Sequence, residues 1–335
     1  MLVGNRNLNK AKLEKNDEFY TRLEDIDKEL IHYKGQLEDK VIYCNCDYVS
    51  DTNKDKSSNF WNYFVDNFHD LKLKKVIATY KTWDKYSYVY TYNGEKVTKE
   101  RLKGDGDFRS NECIDYLKCT DIIITNPPFS LFREYMVQLI EYDKSFLIMG
   151  NNNAVSYKDI FPLIMENRIW LGHNANKTME FRLSKNYEKW TRVDEDGRKF
   201  GTVLSISWFT NLDLAKKHEE IYLYRNYYGN EEKYPKYDNY NAIEVSKVKD
   251  IPKDYEGVMG VPITFLTKYN PQQFELLGSR RWSKSKELLE VYTGQCIPPE
   301  NDKKTLINGK ETYSRLFIRN RKPVLAQEYQ EKKGL

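Results

Sequence analysis

The sequence predicts an α/β protein with a mostly parallel, doubly wound sheet and a C-terminal mixed region. Between Leu23 and Met165, short continuous apolar runs alternate with helical patterns. Such runs are typical of parallel strands that are buried on both faces. From about Met179 onward the pattern changes to alternating strands separated by turns, which favours a mixed arrangement.

The N-terminal part contains the predicted strand–helix–strand units. Leu23, Ile26, Leu30 and Tyr33 recur at helical spacing, and a second helical pattern begins near Ser57. Polar loops and further helical patterns separate the apolar runs. The predicted buried strands are 41–44, 76–80, 121–125 and 145–150.

Other segments carry turn signals or weak periodicity. Alternating tyrosines lead to Asn93-Gly94, and this dipeptide after an alternating strand predicts a β-hairpin. Asp196-Gly197 predicts a turn before a strand at 203–210. Residues 225–256 are rich in Tyr, Asn and Lys but poor in aliphatic side chains, which predicts a surface loop. The predicted domains are a flexible basic arm (1–14), a catalytic domain (15–224), a C-terminal target-recognition region (225–320) and a basic tail (321–335).

Composition limits the class of protein. The chain has 335 residues, 40% of them hydrophobic, and a net charge of +4, so a nucleic-acid partner is compatible but not required. No apolar run approaches the roughly 20 residues that a membrane span needs, and the polar N-terminus does not read as a secretory signal. Five cysteines without a CxxC pair indicate free thiols in a reducing cytoplasm and imply no metal.

The tetrapeptide Asn126-Pro127-Pro128-Phe129 follows a predicted buried strand. Proline fixes φ and lacks an N–H, so the two prolines stop the strand and form a rigid loop. This loop would present the Asn126 amide, prolyl carbonyl acceptors and the Phe129 ring, which together suit an exocyclic amino group on an aromatic ring. An isolated Asn-Pro-Pro is equally consistent with a plain strand-to-helix turn.

The ends of the predicted strands carry polar side chains. Asn45-Cys46-Asp47, Tyr80-Lys81, Asn126 and Asn151-Asn152 each follow one strand. Ligands of open parallel α/β sheets bind outside the carboxyl ends of the strands, so these residues would line one cleft. Asp107-Phe108, just upstream of the central strand, could accept from an adenine amino group and cover its ring.

Several longer runs resemble the EcoRI-type DNA adenine methyltransferases. The resemblance extends from about residue 10 to residue 320, and the Asn-Pro-Pro-Phe run is its least specific part because it marks amino-group methylation in general. It implies a Rossmann-like methyltransferase fold. The runs that carry it are 15–21, 41–47, 58–60, 104–110, 125–135, 206–211, 308–310 and 313–315.

For the acceptor, the resemblance implies N6 of adenine in duplex DNA, extruded from the helix. Asn126 and the Pro127 carbonyl would hydrogen-bond the target amino group, Pro128 would complete the rigid loop, and Phe129 would stack on the flipped base. No Cys follows the two prolines, which argues against chemistry at cytosine C5.

For the methyl donor, the resemblance implies S-adenosylmethionine. The residues at the N-terminal run would line its methionine end, those after the first strand would form its loop, and Asp107 with Phe108 would hold its adenine. The chain departs from the wider methyltransferase pattern because the first loop lacks Gly-x-Gly and the second strand ends in Thr79-Tyr80-Lys81 rather than a carboxylate. The implied cofactor-binding residues are Asp17, Phe19, Tyr20, Asn45, Asp47, Asp107 and Phe108.

The expected partner is double-stranded DNA, bound by a monomer in the cytoplasm, and a cognate restriction endonuclease of a restriction-modification system is a candidate second partner. The basic run with Arg280, Arg281, Trp282, Lys284 and Lys286 could contact the phosphate backbone or be a solvated surface. Three alternatives stay open for the acceptor: cytosine N4, RNA or a protein glutamine. A DNA-binding relative without catalysis is a further alternative.

Overall fold

The computed structural model describes residues 2–3, 19–82, 86–183, 190–279 and 305–324. These residues divide into two compact units. The first unit contains the chain up to Ala154 together with Ile169–Leu214, and the second contains Val155–Arg168 together with the chain from Ala215 onward. The division falls at residue 214, ten residues before the boundary expected from the sequence at residue 224, and the role of the second unit in target recognition stays a prediction.

The first unit contains helices on both sides of a large sheet. Its helices are α1 (Leu23–Leu30), α2 (Lys34–Leu37), α3 (Asn59–Asp66), α4 (Asn111–Lys118) and α5 (Phe132–Glu141). Its strands are β1 (Leu2–Val3), β2 (Phe19–Tyr20), β3 (Val41–Cys44), β4 (Lys75–Thr79), β5 (Tyr88–Tyr92), β6 (Val97–Arg101), β7 (Ile122–Thr125), β8 (Ser145–Asn151), β9 (Trp170–Leu171), β10 (Lys177–Leu183), β11 (Arg192–Val193) and β12 (Lys199–Thr210).

The sheet is mixed, so the expectation of a mostly parallel sheet was wrong. Its strands follow the order β2-β10-β12-β8-β7-β3-β4-β5-β6, and β1, β9 and β11 pair with β12. Within the described residues, the four central strands β8, β7, β3 and β4 are parallel to one another, whereas most flanking pairs are antiparallel. The parallel pairs β3–β4 and β7–β8 are each formed by successive strands with one crossover helix between them, α3 and α5 respectively. The alternating strands near Met179 join this same sheet.

Both faces of the central strands are covered by helices. Helices α1 and α3 share a buried core with Ile42 and Ile124. Side chains alternate across a strand, and on the opposite face the ring of Tyr43 lies 6.4 Å from that of Tyr116 in α4. The ring of Phe132 at the start of α5 lies 4.9 Å from that of Phe209 on the same sheet. The central strands are therefore wound on both faces, as the sequence predicts.

The chain reverses its winding direction between β3 and β7. Helix α3 follows β3 on one face, whereas α5 follows β7 on the other, and such a switch point is where ligands of open α/β sheets bind. The parallel register joins Ile42 to Ile122 and Tyr43 to Ile123 and goes no further. The two strands therefore separate at their carboxyl ends and leave a crevice.

Two sequence predictions about local structure are confirmed, whereas helix α4 was missed. The Asn93-Gly94 turn joins β5 to β6 with Gly94 at φ +94°, and Gly197 at φ +75° lies in the turn that joins β11 to β12. Helix α4 was not predicted because only Cys113 and Leu117 are buried in its eight residues.

The second unit is built around a smaller sheet. It contains α6 (Phe161–Met165), α7 (Ala215–His218), and the strands β13 (Ala242–Glu244), β14 (Val258–Pro262), β15 (Phe274–Ser279), β16 (Leu306–Ile307), β17 (Lys310–Glu311) and β18 (Arg315–Asn320). The four-stranded sheet has the order β13-β14-β18-β15, in which β13 and β14 are parallel and the other pairs are antiparallel.

The expectation that 225–256 is a surface loop was wrong for the tyrosines of this segment. Tyr237 and Tyr240 pack with Phe317 in the core of the second unit. The Tyr237 hydroxyl also donates to Glu244, whose carboxylate is held by Arg315. Aromatic rings supply here the apolar area that aliphatic side chains provide elsewhere.

Candidate active site

A cavity of about 370 Å³ opens at the carboxyl ends of β3, β4 and β7. Its volume lies within the range of small-molecule and cofactor sites. Three of the four predicted strand ends line it, whereas Asn151-Asn152 does not belong to its lining. The lining residues are Tyr20, Thr21, Asn45, Cys46, Asp47, Tyr48, Ser58, Phe60, Tyr80, Lys81, Thr82, Gly106, Asp107, Phe108, Asn126, Pro127, Pro128, Phe129 and Leu131.

Most of the site residues expected from the sequence meet in this cavity. They are Tyr20, Asn45, Asp47, Asp107, Phe108, Asn126, Pro127, Pro128 and Phe129. Phe19 belongs to β2, but its side chain lies outside what the structure describes, as does the whole of Asp17. The expected DNA-binding residues Arg280, Arg281, Trp282, Lys284 and Lys286 also lie outside the described residues.

The two prolines shape the loop after β7. Strand β7 ends at Thr125, and a short 3-10 turn begins at Phe129. The Leu131 backbone N–H donates to the Pro128 carbonyl at 2.9 Å, which closes that turn. The half-buried Phe129 ring lies edge-on to Phe181, with 6.4 Å between ring centroids. The loop is therefore fixed at both ends beside the cavity.

A contact from the end of β2 orients the Asn126 side chain. The Asn126 Nδ2 atom donates to the Thr21 Oγ1 atom at 3.3 Å. Thr21 is itself buried and donates to the Met149 sulfur at 3.3 Å. Since the donor end of the amide faces Thr21, the acceptor oxygen of Asn126 faces the other way.

Asp47 joins three elements beneath the cavity. Its carboxylate accepts from the Ser58 hydroxyl, at the N-terminus of α3, and from the Thr125 hydroxyl at 2.5 Å, at the end of β7. Asp47 is only 4% exposed. Burial raises the pKa of Asp47 to about 6, although the two hydrogen bonds act in the opposite direction.

Asn45 lies beside Asp47 on the same loop. Its Oδ1 atom accepts from the Tyr135 hydroxyl of α5, which is completely buried. The Nδ2 atom of Asn45 has no hydrogen-bond partner among the described residues, and the residue is 2% exposed. A buried amide donor without a partner is uncommon in folded proteins and marks a place where a ligand atom could accept.

Asp107 is held by two cations. Arg109 donates to both of its carboxylate oxygens, at 2.8 and 2.7 Å, and the Lys81 ammonium lies 2.7 Å from Oδ2. The Arg109 contact, followed by that of Lys81, holds the pKa of Asp107 well below its usual range. The carboxylate also accepts from the Arg109 backbone N–H, so its acceptor sites are largely occupied.

The loop that carries Asp107 depends on Gly106. This glycine has φ +80°, and a Cβ atom there would lie 2.1 Å from the Tyr80 carbonyl oxygen. The close approach brings the loop against the end of β4, where the Thr82 N–H donates to the Asp105 carbonyl at 2.8 Å. Phe108 is buried against Tyr135, with 5.0 Å between ring centroids, and forms part of the cavity wall.

Sequence reasoning missed four residues that organise the site: Thr21, Ser58, Arg109 and Tyr135. All four lie in the runs that carry the family resemblance, but spacing along the chain does not reveal their partners. Their hydrogen bonds join segments that are distant in sequence, except for Arg109. Lys81 was expected at the cleft, but its contact with Asp107 was not.

Two further features, a metal-binding cluster and a membrane-spanning helix, are absent from the described part of the chain. No group of three or more His, Cys, Asp or Glu side chains there is arranged to hold a metal ion. No helix in those ranges has the length and apolar character needed to cross a bilayer.

Comparison with known proteins identifies the family. The family model for the adenine-specific methyltransferase EcoRI matches residues 7–321. The Type II methyltransferase M.EcoRI of Escherichia coli is 45% identical over 340 residues, covering 95% of this chain and 97% of that protein. The Type II methyltransferase M.MgeORF184P of Mycoplasma genitalium is 41% identical, covering 93% of this chain and 98% of the relative.

The same comparisons extend to a third relative. The Type II methyltransferase M.MpnI of Mycoplasma pneumoniae is 40% identical over 322 residues, which cover 95% of this chain and 99% of the relative. No solved structure gives a significant match. Because the family model and all three relatives cover nearly the full length, the chain belongs to the EcoRI family of adenine-specific methyltransferases.

Proposed function

We propose that this protein transfers a methyl group from S-adenosylmethionine to N6 of adenine in duplex DNA, at a specific sequence and after extruding the base. Family membership supports the methyl transfer and the choice of adenine. The other parts of the proposal rest on one observation. The Asn126 loop and the Asp107-Phe108 loop line the same cavity, at the switch point of the sheet.

The Asn126 loop would supply the hydrogen-bond acceptors for the target amino group. Adenine N6 is a weak nucleophile because its lone pair is conjugated with the ring. Acceptors at the Asn126 side chain and the Pro127 carbonyl would favour a more tetrahedral nitrogen and disperse the charge that develops on it. Pro128 keeps the loop rigid, and Phe129 lies where it could stack on the extruded base.

The residues present fit S-adenosylmethionine. The cavity volume suits a cofactor of this size class, and its wall combines aromatic rings with carboxylate and amide groups. Phe108 would cover the cofactor's adenine, Asn45 would donate through its unpartnered amide, and Tyr20 would line the methionine end. When bound, the cofactor supplies an electrophilic methyl group on a sulfonium centre.

Asp107 fits this site with one change in its expected role. Its carboxylate already accepts from Arg109 and Lys81, so an adenine amino group could bind it only by replacing the Lys81 ammonium. The Lys81 side chain is 41% exposed, so it can move more easily than the buried loop that carries Asp107. Asp107 also fixes the loop geometry that places Phe108.

The chain's contribution to the reaction would be alignment and exclusion of water. Thr21 orients the Asn126 amide, and the rings of Phe60, Phe108 and Phe129 line the cavity. Preorganised dipoles in a largely apolar cavity act more strongly than in water, and alignment of two reactants removes much of the entropic part of the barrier.

The DNA partner follows from the same proposal. Duplex DNA would be bound by a cytoplasmic monomer, and basic side chains at 280–286 remain the predicted phosphate contacts. The Type II names of the three relatives support a restriction-modification setting, in which a cognate endonuclease would cut the same sequence.

A transfer assay with tritium-labelled S-adenosylmethionine tests this function against its alternatives. Unmethylated duplex DNA, structured RNA and a protein extract are offered as acceptors in separate reactions. We expect label in duplex DNA, recovered as N6-methyladenine after digestion to nucleosides. Label recovered as N4-methylcytosine, in RNA or in protein glutamine would overturn the proposal, and so would DNA binding without any transfer.

A further inference from the structure

The crevice between β3 and β7 is crossed by a hydrogen bond. Parallel pairing between these strands reaches Tyr43 and Ile123 and goes no further. Beyond that point, the Thr125 hydroxyl donates to the Asp47 carboxylate at 2.5 Å. Thr125 is fully buried and does not line the cavity, whereas Asp47 reaches the lining with only 4% of the residue exposed.

Asp47 therefore joins the two sides of the site. It follows Asn45 on the loop after β3, where the cofactor residues lie, whereas Thr125 immediately precedes Asn126 on the acceptor side. The other carboxylate oxygen accepts from Ser58, which also accepts from the Phe60 N–H at the start of α3. One buried carboxylate thus holds β3, β7 and α3 in a fixed arrangement.

Burial and two hydrogen bonds from the chain support this role. Both carboxylate oxygens of Asp47 accept hydrogen bonds from the chain, and only 4% of the residue is exposed. The carboxylate of Asp107, by comparison, is held by Lys81, an exposed cation that can exchange for a ligand. On this account Asp47 acts through the geometry of the site, whereas the contact with the cofactor that the sequence predicts stays a prediction.

We propose that Asp47 is a positioning residue for methyl transfer, which fixes the Asn126 loop against the cofactor loop through the Thr125 hydroxyl. The proposal rests on the proposed function. Methyl transfer needs the acceptor nitrogen in line with the donor, and a displacement of about 1 Å can lower such a rate by about 100-fold. The hydrogen bond between Thr125 and Asp47 fixes the distance between the loop that holds the acceptor and the loop that holds the donor.

The test removes the hydroxyl from Thr125 and leaves both ligand surfaces unchanged. Thr125→Val replaces the hydroxyl by a methyl group of similar volume, and Thr125→Ser restores it. Thr120→Val is the matched control, because Thr120 is also buried, donates to the Leu117 carbonyl at 2.9 Å and lies at the opposite end of β7.

Two quantities are measured for each full-length variant. The first is the single-turnover rate of methyl transfer to unmethylated plasmid DNA at saturating S-adenosylmethionine. The second is the dissociation constant of S-adenosylmethionine from calorimetry. Thermal unfolding of each variant shows the fraction that is folded, and rates are expressed per folded enzyme.

We expect Thr125→Val to lower the single-turnover rate by about 10- to 100-fold, with cofactor affinity within about threefold of the wild type. Thr125→Ser and Thr120→Val should retain rates near that of the wild type. If Thr125→Val does not fold, Thr125→Ala is measured instead, and the same separation of rate from cofactor affinity is expected.

Three results would overturn the inference. They are an unchanged rate in Thr125→Val, an equal loss in Thr120→Val, or a cofactor dissociation constant that rises in Thr125→Val by as large a factor as the rate falls. A wild-type enzyme that transfers no methyl group to DNA would instead overturn the proposed function, and this inference with it.

Discussion

The Nδ2 atom of Asn126 lies 3.3 Å from the Oγ1 atom of Thr21, a residue 105 positions earlier in the chain. The contact connects the end of β2, at one edge of the sheet, with the loop after the central strand β7. It selects one of the two orientations of the Asn126 amide, and this orientation turns the acceptor oxygen away from Thr21. Such orientation matters because only the oxygen can accept from an amino group.

Removing the Asn126 amide should abolish catalysis without abolishing cofactor binding. We expect Asn126→Ala to lower the rate of methyl transfer by at least about 100-fold, because a preorganised acceptor for the developing charge is lost. Cofactor affinity from calorimetry should stay within a few fold. The matched variant Asn126→Asp keeps an acceptor oxygen and should retain more activity. An Asn126→Ala enzyme with near wild-type turnover would remove this residue from the mechanism.

Gly106 should be required for cofactor binding. In Gly106→Ala, the new Cβ atom would lie 2.1 Å from the Tyr80 carbonyl oxygen, so the loop that carries Asp107 and Phe108 must shift. We expect the dissociation constant of S-adenosylmethionine to rise by about 10-fold or more, since a few kcal/mol of strain is common for such changes. Calorimetry gives this constant directly.

Gly197→Ala is the matched control for this prediction. Gly197 also has a positive φ, +75°, but a Cβ atom there meets nothing within 4 Å. Both variants carry the same backbone strain of about 1 kcal/mol, and only Gly106→Ala carries the clash. Equal cofactor affinity in the two variants would show that the position of the loop does not matter for the cofactor.

Weakening the target base pair should strengthen DNA binding. Extrusion of a base requires a few kcal/mol of unstacking and unpairing, and less when the base is mismatched. We expect a duplex with a mismatch at the target adenine to bind about 10-fold more tightly than the matched duplex. The gain should shrink in Phe129→Ala, which lacks the ring that would stack on the extruded base. Equal affinity for both duplexes would contradict extrusion as an energetic step.

Asp47 should make stability depend on pH in a defined direction. Burial raises the pKa of Asp47 in the folded protein to about 6, whereas the unfolded chain has an ordinary value near 3.9. The folded state therefore binds this proton more tightly, so the contribution is present below about pH 4 and is lost as the pH rises through 6. Asp47→Asn removes the titrating group.

To check this prediction, the free energy of unfolding in urea is measured for the wild type and for Asp47→Asn at several pH values between 4 and 7. We expect the wild type to lose about 2 kcal/mol relative to the variant over this range. Lost hydrogen bonds in the variant add an offset that does not depend on pH. A difference between the two proteins that stays constant over the range would contradict a raised pKa at Asp47.

Local signals in the sequence were sufficient for the central part of the fold. The continuous apolar runs that end at Cys44, Thr79 and Thr125 are parallel strands, and the Asn93-Gly94 turn forms its hairpin. The antiparallel flanks were missed because the partner of an alternating strand is not encoded in its own pattern. Strand β12, for example, pairs with β8, about 50 residues earlier in the chain.

The candidate site was predicted as a set of residues but not as a network. Asn126 and Phe108 could be found because each lies in a short recognisable run. Thr21 and Thr125 could not be found, because their roles depend on contacts over 105 and 78 residues of sequence. The contact of Lys81 with Asp107 was missed for a similar reason, since Lys81 reaches it from a different strand end.

Direct sequencing of genomic DNA tests the central claim. The wild-type protein and Asn126→Ala are expressed separately in a bacterial host that lacks adenine methylation, and modified bases are read from single DNA molecules. We predict N6-methyladenine at one short recurrent sequence in cells with the wild-type protein and its absence in cells with the folded Asn126→Ala variant. Genomic DNA without N6-methyladenine in cells that contain folded wild-type protein would contradict the account.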